Sequence, residues 1–112
     1  MGAENLPLLK GTLDLLVLKA LSLEPMHGFG LTVWLEARSD GALEVEDSAL
    51  YQALHRLEAR RLVEARWGIT ENHRRAKYYS LTEAGHRHLE REAEQWDRYA
   101  RTVNDLLGLE RA

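Results

Sequence analysis

The feature that most constrains this fold is a change in the spacing of apolar residues along the chain. Up to about residue 60, apolar residues recur mainly at helical intervals, whereas residues 62–81 are rich in Val, Trp, Ile and Tyr, as strands are. After residue 82 the helical spacing returns. The order predicts helices, then a hairpin, then a final helix, which is an α+β chain with little sheet.

Seven elements follow from this spacing and from the positions of Gly, Pro and capping residues. Pro25 ends the first helix, and Asp40 with Gly41 ends the second. In chain order the predicted elements are a helix at about 10–22, a helix at 31–38, a short strand at 43–45, a helix at 48–60, strands at 62–69 and 76–81, and a last helix that is capped at 82–84 and runs to 107.

The charge of the chain is unevenly distributed, although its sum is only -3. Residues 51–82 carry +4, whereas residues 1–50 carry -5 and residues 83–112 carry -2. The cations of the middle segment are interleaved with Tyr and Trp, a composition suited to a polyanionic backbone. Because this segment covers the third helix and the hairpin, these two elements indicate contact with nucleic acid. A solvated charged face is the simpler alternative.

Three helices followed by a two-stranded hairpin is the order of a winged helix-turn-helix, in which the third helix enters the major groove. The predicted fold is therefore mostly α with a small β-hairpin wing. We predict that Gln52, His55 and Arg56 reach base edges and that the hairpin cations contact phosphates. Tyr51 either contacts DNA as well or packs on the domain. The predicted DNA contacts are Ser48, Tyr51, Gln52, His55, Arg56, Arg74, Arg75 and Lys77.

Two apolar faces lie outside the predicted core and indicate a partner helix. One is the second side of the first helix, and the other is a stripe of the last helix that repeats every seven residues, a spacing typical of paired helices. We therefore predict a homodimer. Its predicted contacts are Leu9, Leu15, Leu18, Leu89, Trp96, Val103 and Leu107.

Trp96 suggests a site for a small aromatic molecule. In a two-fold dimer a residue of this stripe faces its own copy, so two indoles could flank a flat molecule, with Leu15 and Leu18 beside it. The alternative is that Trp96 is ordinary dimer core, packed on Leu15 or Leu18.

Several classes of function are excluded by what the sequence lacks. With no Cys, the chain has neither thiol catalysis nor thiolate metal sites, and no phosphate-binding loop or nucleophile motif suggests an enzyme. The pairs His86 with Glu90 and His88 with Glu92 point away from each other, so we expect no metal or other cofactor. No apolar stretch reaches the roughly 20 residues of a membrane span, and residues 1–5 lack a secretory pattern. A cytoplasmic location is the expectation.

Four segments of the chain resemble the PadR family of bacterial transcriptional regulators. They are residues 9–16 (LKGTLDLL), 27–31 (HGFGL), 50–58 (LYQALHRLE) and 75–82 (RAKYYSLT), within a resemblance that spans residues 8–89. The single last helix is similar to the short branch of the family. The resemblance implies a dimeric repressor that binds palindromic promoter sites through double-stranded DNA contacts, dimerises through its first and last helices, and in several members releases DNA when a planar aromatic effector binds.

The chain departs from the family pattern at the start of the third helix. Where the family commonly has Gly, then Ser or Thr, and Pro after the Leu-Tyr pair, this chain has Ser48, Ala49 and Gln52. Ala49 lacks the hydroxyl that would contact a phosphate, and Gln52 adds a hydrogen-bond donor and an acceptor to the outer face of the third helix. The family's usual operator sequence is therefore not carried over to this chain.

On this interpretation residues 1–82 form a DNA-binding domain and residues 83–112 a dimerisation helix, joined in one compact unit. The alternative is a winged-helix protein-interaction module without sequence-specific DNA binding, whose hairpin meets an acidic protein. A further alternative keeps DNA binding but has no effector.

Overall fold

The computed structural model describes residues 6–9 and 11–109. Within them the chain forms α1 (Thr12–Leu21), α2 (Gly28–Arg38), α3 (Asp47–Ala59), β1 (Val63–Ile69), β2 (Arg75–Leu81) and α4 (Glu83–Leu107). The two strands pair as an antiparallel hairpin, and α4 is 25 residues long. The predicted architecture, a mostly α winged helix with a long C-terminal helix, is confirmed.

The hydrophobic core lies where α1, α2 and α3 meet the base of the hairpin. The predicted inward face of α3 is confirmed, because Leu50, Leu54 and Leu57 are each no more than 1% exposed. Leu31 of α2 and Val63 of β1 are buried beside them. Burial of side chains of this size stabilises a fold by about 1.5–3 kcal/mol each. This packing fixes α3 with its polar side turned to solvent.

Leu18 belongs to this core, which corrects two predictions about it. Its side chain is 1% exposed and is part of the buried cluster. The cause is that α1 packs against α2, α3, α4 and β2, so the chain covers more than one side of this helix. Leu18 has no surface left for a second subunit or an effector, and we remove it from both predicted sites.

The second helix begins three residues earlier than its apolar spacing predicts. His27 is its N-cap, and the imidazole Nδ1 accepts a hydrogen bond from the backbone N–H of Gly30 at 3.0 Å. An N-cap acceptor satisfies a backbone donor that has no partner within the helix, so it sets the first turn. The first turn of α2 therefore contains Gly28 and lies next to the hairpin, where His27 packs edge-on against Tyr78 at 5.1 Å.

The short strand predicted at residues 43–45 does not form in the described part of the chain. The backbone of these residues pairs with no strand, although the side chain of Val45 is buried in the core. The free edge of β2 is instead occupied by Met26, whose N–H and carbonyl pair with Tyr79 at 3.1 and 2.8 Å. Because a strand edge has only one set of backbone donors and acceptors, Met26 leaves no edge for residues 43–45 beside Tyr79.

The hairpin formed by β1 and β2, called the wing below, is packed at its base and bare at its tip. Pairing runs from Val63 opposite Leu81 to Ile69 opposite Arg75. Val63 is 2% exposed, whereas Ile69 is 63% exposed. The tip is closed by Thr70, whose hydroxyl accepts from the backbone N–H of Arg74 at 3.2 Å. The wing therefore projects from the body with most of its far half in solvent.

The last helix starts directly at the base of the wing. Thr82 is its N-cap: the hydroxyl accepts from the Gly85 N–H at 3.0 Å and donates to the Arg61 carbonyl at 2.8 Å. Gly85 is buried, and a Cβ at this position would clash with the carbonyl oxygen of Leu62. The first turn of α4 is thus fixed to the segment where β1 begins. Beyond its first turns α4 extends past the core.

Candidate nucleic-acid interface

The outer face of α3 is polar and exposed, as the sequence predicts. Ser48, Gln52 and His55 project from it into solvent, since the leucines of the same helix occupy the opposite side. Tyr51 and Arg56 flank this face on its two sides. The face offers hydroxyl, amide, imidazole and guanidinium groups, which are groups that hydrogen-bond base edges.

Tyr51 marks the edge of α3 that faces the wing. Its side chain is 49% exposed, and its hydroxyl lies so close to Gly28 that a Cβ there would approach it at 3.1 Å. Tyr51 therefore packs on α2 with its ring partly free, and its contact with DNA stays a prediction. Gly28 also lines this site, although the sequence did not single it out.

Between this edge of α3 and the wing lies a cleft of about 720 Å³, called the wing cleft below. It carries both cations and exposed aromatic rings: the guanidinium of Arg75 stacks 4.5 Å from the ring of Trp67, which is 62% exposed. Its lining residues are His27, Gly28, Phe29, Tyr51, Trp67, Thr70, Asn72, Arg74, Arg75, Ala76, Lys77 and Tyr79. Four of the predicted DNA contacts, namely Tyr51, Arg74, Arg75 and Lys77, are thus brought together.

The cations of the wing cleft are free of acidic partners. Among residues 6–9 and 11–109, no carboxylate forms an ion pair with Arg74, Arg75 or Lys77. Lys77 extends along the ring of Tyr79, with its Nζ 5.9 Å from the ring centre. Burial raises the pKa of the Tyr79 hydroxyl, so this ring stays neutral beside the cation. The cleft keeps a net positive charge that a phosphate backbone can neutralise.

Arg56 lies on the other edge of α3 and is held by Asp14 of α1. Its Nη2 donates to Asp14 Oδ1 at 2.7 Å, and its Nε donates to Oδ2 at 3.2 Å. The hydrogen bond to Asp14 raises the pKa of the Arg56 guanidinium. This pair was not predicted from the sequence, although a single carboxylate inside the apolar run of residues 13–18 was a signal that Asp14 has a polar partner.

A shallow groove of about 480 Å³ runs between this edge of α3 and the start of α1. Gln52 and Arg56 line it together with Asp14 and Leu9. Leu9, predicted as a dimer contact, is 59% exposed and lies beside these α3 residues. Two of the three predicted base-reading side chains, Gln52 and Arg56, therefore share one groove, whereas the wing cations line the wing cleft.

Three of the four predicted dimer residues of α4, namely Trp96, Val103 and Leu107, lie along the part that extends past the core. Trp96 is 42% exposed and Leu107 is 67% exposed, while Val103 is half-buried. Leu89 is half-buried because it packs against the core of its own chain. Leu15, the predicted dimer contact of α1, is also half-buried. The ring of Trp96 lies 6.4 Å from that of Tyr99. The far half of α4 thus exposes a stripe that the described residues of its own chain do not cover.

The described ranges offer neither a metal site nor a membrane helix. No group of three or more His, Asp or Glu side chains there is arranged to hold a metal ion. No helix there is both long and apolar enough to cross a bilayer.

The chain is similar to proteins of one family. The model of the PadR-like transcriptional regulator family matches residues 17–91. A PadR-like transcriptional regulator from Bacillus cereus is 29% identical and superimposes with a TM-score of 0.77, covering 90% of this chain and 96% of that one. A PadR family regulator from Eggerthella lenta is 33% identical, with a TM-score of 0.73 over 88% of this chain and 83% of its own.

One similar structure contains nucleic acid. Bacillus subtilis PadR in complex with operator DNA is 21% identical and superimposes with a TM-score of 0.64. The match covers 72% of this chain and 47% of that one, so it supports the shared fold.

Proposed function

We propose that this chain, which belongs to the PadR-like family of transcriptional regulators, binds a two-fold symmetric operator as a homodimeric repressor. A transcriptional regulator of this family is not an enzyme. In the proposed complex α3 lies in the major groove and the wing lies on the adjacent backbone. Residues 1–82 provide DNA binding and residues 83–112 provide dimerisation.

One observation carries the DNA-binding part of this proposal. Tyr51, at the edge of the polar face of α3, borders the same cleft as the wing cations, which have no acidic partner among the described residues, so one duplex can contact α3 and the wing together. Base edges are read by hydrogen-bonding side chains on a helix, whereas phosphates are held by cations beside it. Bacillus subtilis PadR, which has a similar fold, is bound to operator DNA, and this supports DNA binding by the present chain.

Selection from a random duplex library tests this function without assuming any operator sequence. The purified protein is mixed with the library at near-physiological salt, and the retained duplexes are sequenced. We expect an inverted repeat whose half-sites lie about one helical turn, or roughly 10 base pairs, apart. Retention without any enriched sequence would contradict sequence-specific binding and favour the protein-interaction alternative.

The exposed stripe of α4 supports the dimer. Leu106 and Leu107 are 83% and 67% exposed, and Trp96 and Tyr99 continue the apolar surface towards the core. A long apolar stripe on a helix that extends past its own core is typical of helix pairing. Two copies related by a two-fold axis would cover it and place two α3 helices for two half-sites.

Sedimentation equilibrium of two variants tests this interface. Leu107→Glu places a charge in the proposed interface, and we expect it to shift the protein to monomer. Val33→Glu is the matched control, because Val33 is 49% exposed on α2 and lies outside the stripe. If both variants stay dimeric, α4 is not the dimer contact.

We further propose that the effector is a planar aromatic compound bound between the two Trp96 side chains, with Leu15 beside them. The partial exposure of Trp96 supports this site, since a covered indole could not accept a ligand. Planar aromatics should quench the Trp96 fluorescence, the quenching should be lost in Trp96→Ala, and the same compounds should release operator DNA. No quenching across a broad panel of such compounds would leave Trp96 as ordinary dimer core.

The repressor role has its own test. We expect transcription from a promoter that carries the selected operator to fall when the protein is added to purified polymerase. Increased transcription would show an activator and contradict the proposal.

A further inference from the structure

We infer that Asp14 is a specificity-determining residue: its carboxylate orients Arg56 so that the free end of the guanidinium reads a guanine in the operator. This inference rests on the proposed DNA-binding function and goes beyond it, because Asp14 itself belongs to α1 and not to the groove-binding helix. It assigns α1 a part in sequence recognition. Asp14 acts through Arg56 and is therefore a positioning residue.

The geometry of the pair leaves the reading edge of Arg56 free. A guanidinium has five N–H donors on three nitrogens. Asp14 accepts one from Nε and one from Nη2, at 3.2 and 2.7 Å, and so occupies one side of the group. Both N–H groups of Nη1 and the second N–H of Nη2 remain. These form the end of the fork, which can donate two hydrogen bonds to O6 and N7 of guanine.

The exposure of the two partners fits these roles. The Asp14 side chain is 22% exposed and is fixed on α1, whereas the Arg56 side chain is 54% exposed and reaches the surface. A contact to both carboxylate oxygens restrains the plane of the guanidinium as well as its position. Because α1 packs directly on α3, Asp14 is itself held in place by the core, and so is the guanidinium that it binds. An unrestrained Arg side chain would lose more rotamer entropy on binding a base.

The pair also differs from the other ion pairs of the described residues. Arg87 with Glu83 and Arg101 with Asp97 are four residues apart within α4 and lie far along the chain from the α3 face. Asp14 and Arg56 are 42 residues apart and join two different helices. Gln52, one helical turn before Arg56, lines the same groove, so the orienting contact lies beside a second base-reading group.

Orientation and charge predict opposite effects of removing this carboxylate. A negative charge close to the interface repels the phosphate backbone, so its loss should raise or preserve affinity for unrelated duplexes. Loss of orientation should at the same time weaken discrimination at the base pair that Arg56 reads. A carboxylate with only a structural role would lower both affinities together when it is removed.

The test compares Asp14→Asn with the wild type in the duplex-library selection. We expect Asp14→Asn to lose preference for one G·C pair in each half-site, by about 5-fold or more. Arg56→Lys keeps the charge but not the fork, so it should lose the same preference. Arg56→Ala should do so too, and Asp14→Asn combined with Arg56→Ala should discriminate no worse than Arg56→Ala alone.

Asp47→Asn is the matched control for loss of a carboxylate. Asp47 is exposed in the first turn of α3, and no cation pairs with it within the described residues, so its removal should leave the selected motif unchanged. Urea unfolding of each variant shows that the fold is retained. If Asp14→Asn or Arg56→Ala keeps every base preference, the inference is overturned while DNA binding stands. If the wild type selects no motif, the proposed function fails and the inference with it.

Discussion

The two edges of α3 present positive charge in different ways. On the edge that faces the wing, Arg74, Arg75 and Lys77 border an open cleft and have no carboxylate partner among the described residues. On the edge that faces α1, Arg56 is held at two points by Asp14. Among the described residues, arginine thus lacks an acidic partner on one edge of α3 and is held by one on the other.

This difference separates affinity from specificity. Cations without a carboxylate partner can contact the phosphate backbone of any duplex, and they supply affinity that falls as salt rises. A guanidinium with a fixed plane instead presents its donors in one direction, which base recognition requires. We therefore expect variants of the wing to change binding to all sequences, and variants of the α3 groove to change the choice among sequences.

The largest effect is expected from removing the wing cations together. Arg74→Ala, Arg75→Ala and Lys77→Ala in one variant should lower affinity about 100-fold at about 0.15 M salt and reduce the salt slope by about 2.7, because each phosphate contact contributes about 0.9. Fluorescence anisotropy over a range of salt concentrations measures both quantities. Operator and unrelated DNA should lose affinity alike.

The control for this variant removes the same charge elsewhere. Arg38, Arg87 and Arg91 are exposed on α2 and α4, and none of them lines the wing cleft. Their combined replacement by Ala should change the slope much less. Equal losses in the two triple variants would show that only total charge matters and would remove the contrast between the two edges of α3.

A smaller effect is expected at the base of the wing. In Gly85→Ala the new methyl group would meet the Leu62 carbonyl, so the base of the wing must shift. The free energy of unfolding should therefore fall by about 1–3 kcal/mol. Gly30→Ala is the control, since its Cβ would meet His27 at an ordinary 3.5 Å. Urea unfolding measures both. A stability of Gly85→Ala equal to that of the wild type would contradict the tight junction.

Gln52→Ala tests the α3 side of the comparison directly. Its amide can pair with adenine, so the variant should lose about 1–3 kcal/mol of preference at one base pair per half-site. Its salt slope should stay at the wild-type value, because no phosphate contact is removed. Competition between matched and mismatched duplexes measures the preference. A changed salt slope with an unchanged base preference would indicate that Gln52 contacts the DNA phosphate backbone instead.

The smallest expected effect is that of alkaline pH on the Asp14–Arg56 pair. The contact with Asp14 raises the pKa of Arg56, so the stabilisation it provides is present below the ordinary pKa and is lost only as the pH rises through the raised value. Base discrimination should therefore be the same at about pH 7.5 and about pH 9.5. A loss within this interval, measured by duplex competition, would show that another group performs the reading.

The elements that the sequence predicted well are those defined by local periodicity. The inward leucines of α3 and the bounds of the wing and of α4 agree with the structure within about two residues, because the spacing of apolar residues and a cap such as Thr82 are local signals. On the site, the sequence indicated the wing cations and the polar face of α3. The structure brings Tyr51 and the three wing cations to one cleft.

The features that the sequence could not show depend on contacts between distant residues. Met26 pairs with Tyr79 of β2, whereas residues 43–45 form no strand. Which segment pairs with a strand edge leaves no mark in local spacing. Leu18 looked exposed because periodicity shows one inward face, whereas α1 is covered on more than one side. The contact from Asp14 to Arg56 joins residues 42 apart and follows from the packing of two helices.

In the proposed dimer, the junction at Thr82 would also determine how far apart the two wings lie. Only this residue separates β2 from α4, and its hydroxyl is bonded on both sides, so wing and helix meet without a flexible linker. The distance between the two wings of that dimer would then be fixed. An operator with one extra base pair between its half-sites would move the second by about 3.4 Å and turn it by about 35°. No slack in the chain would absorb that change.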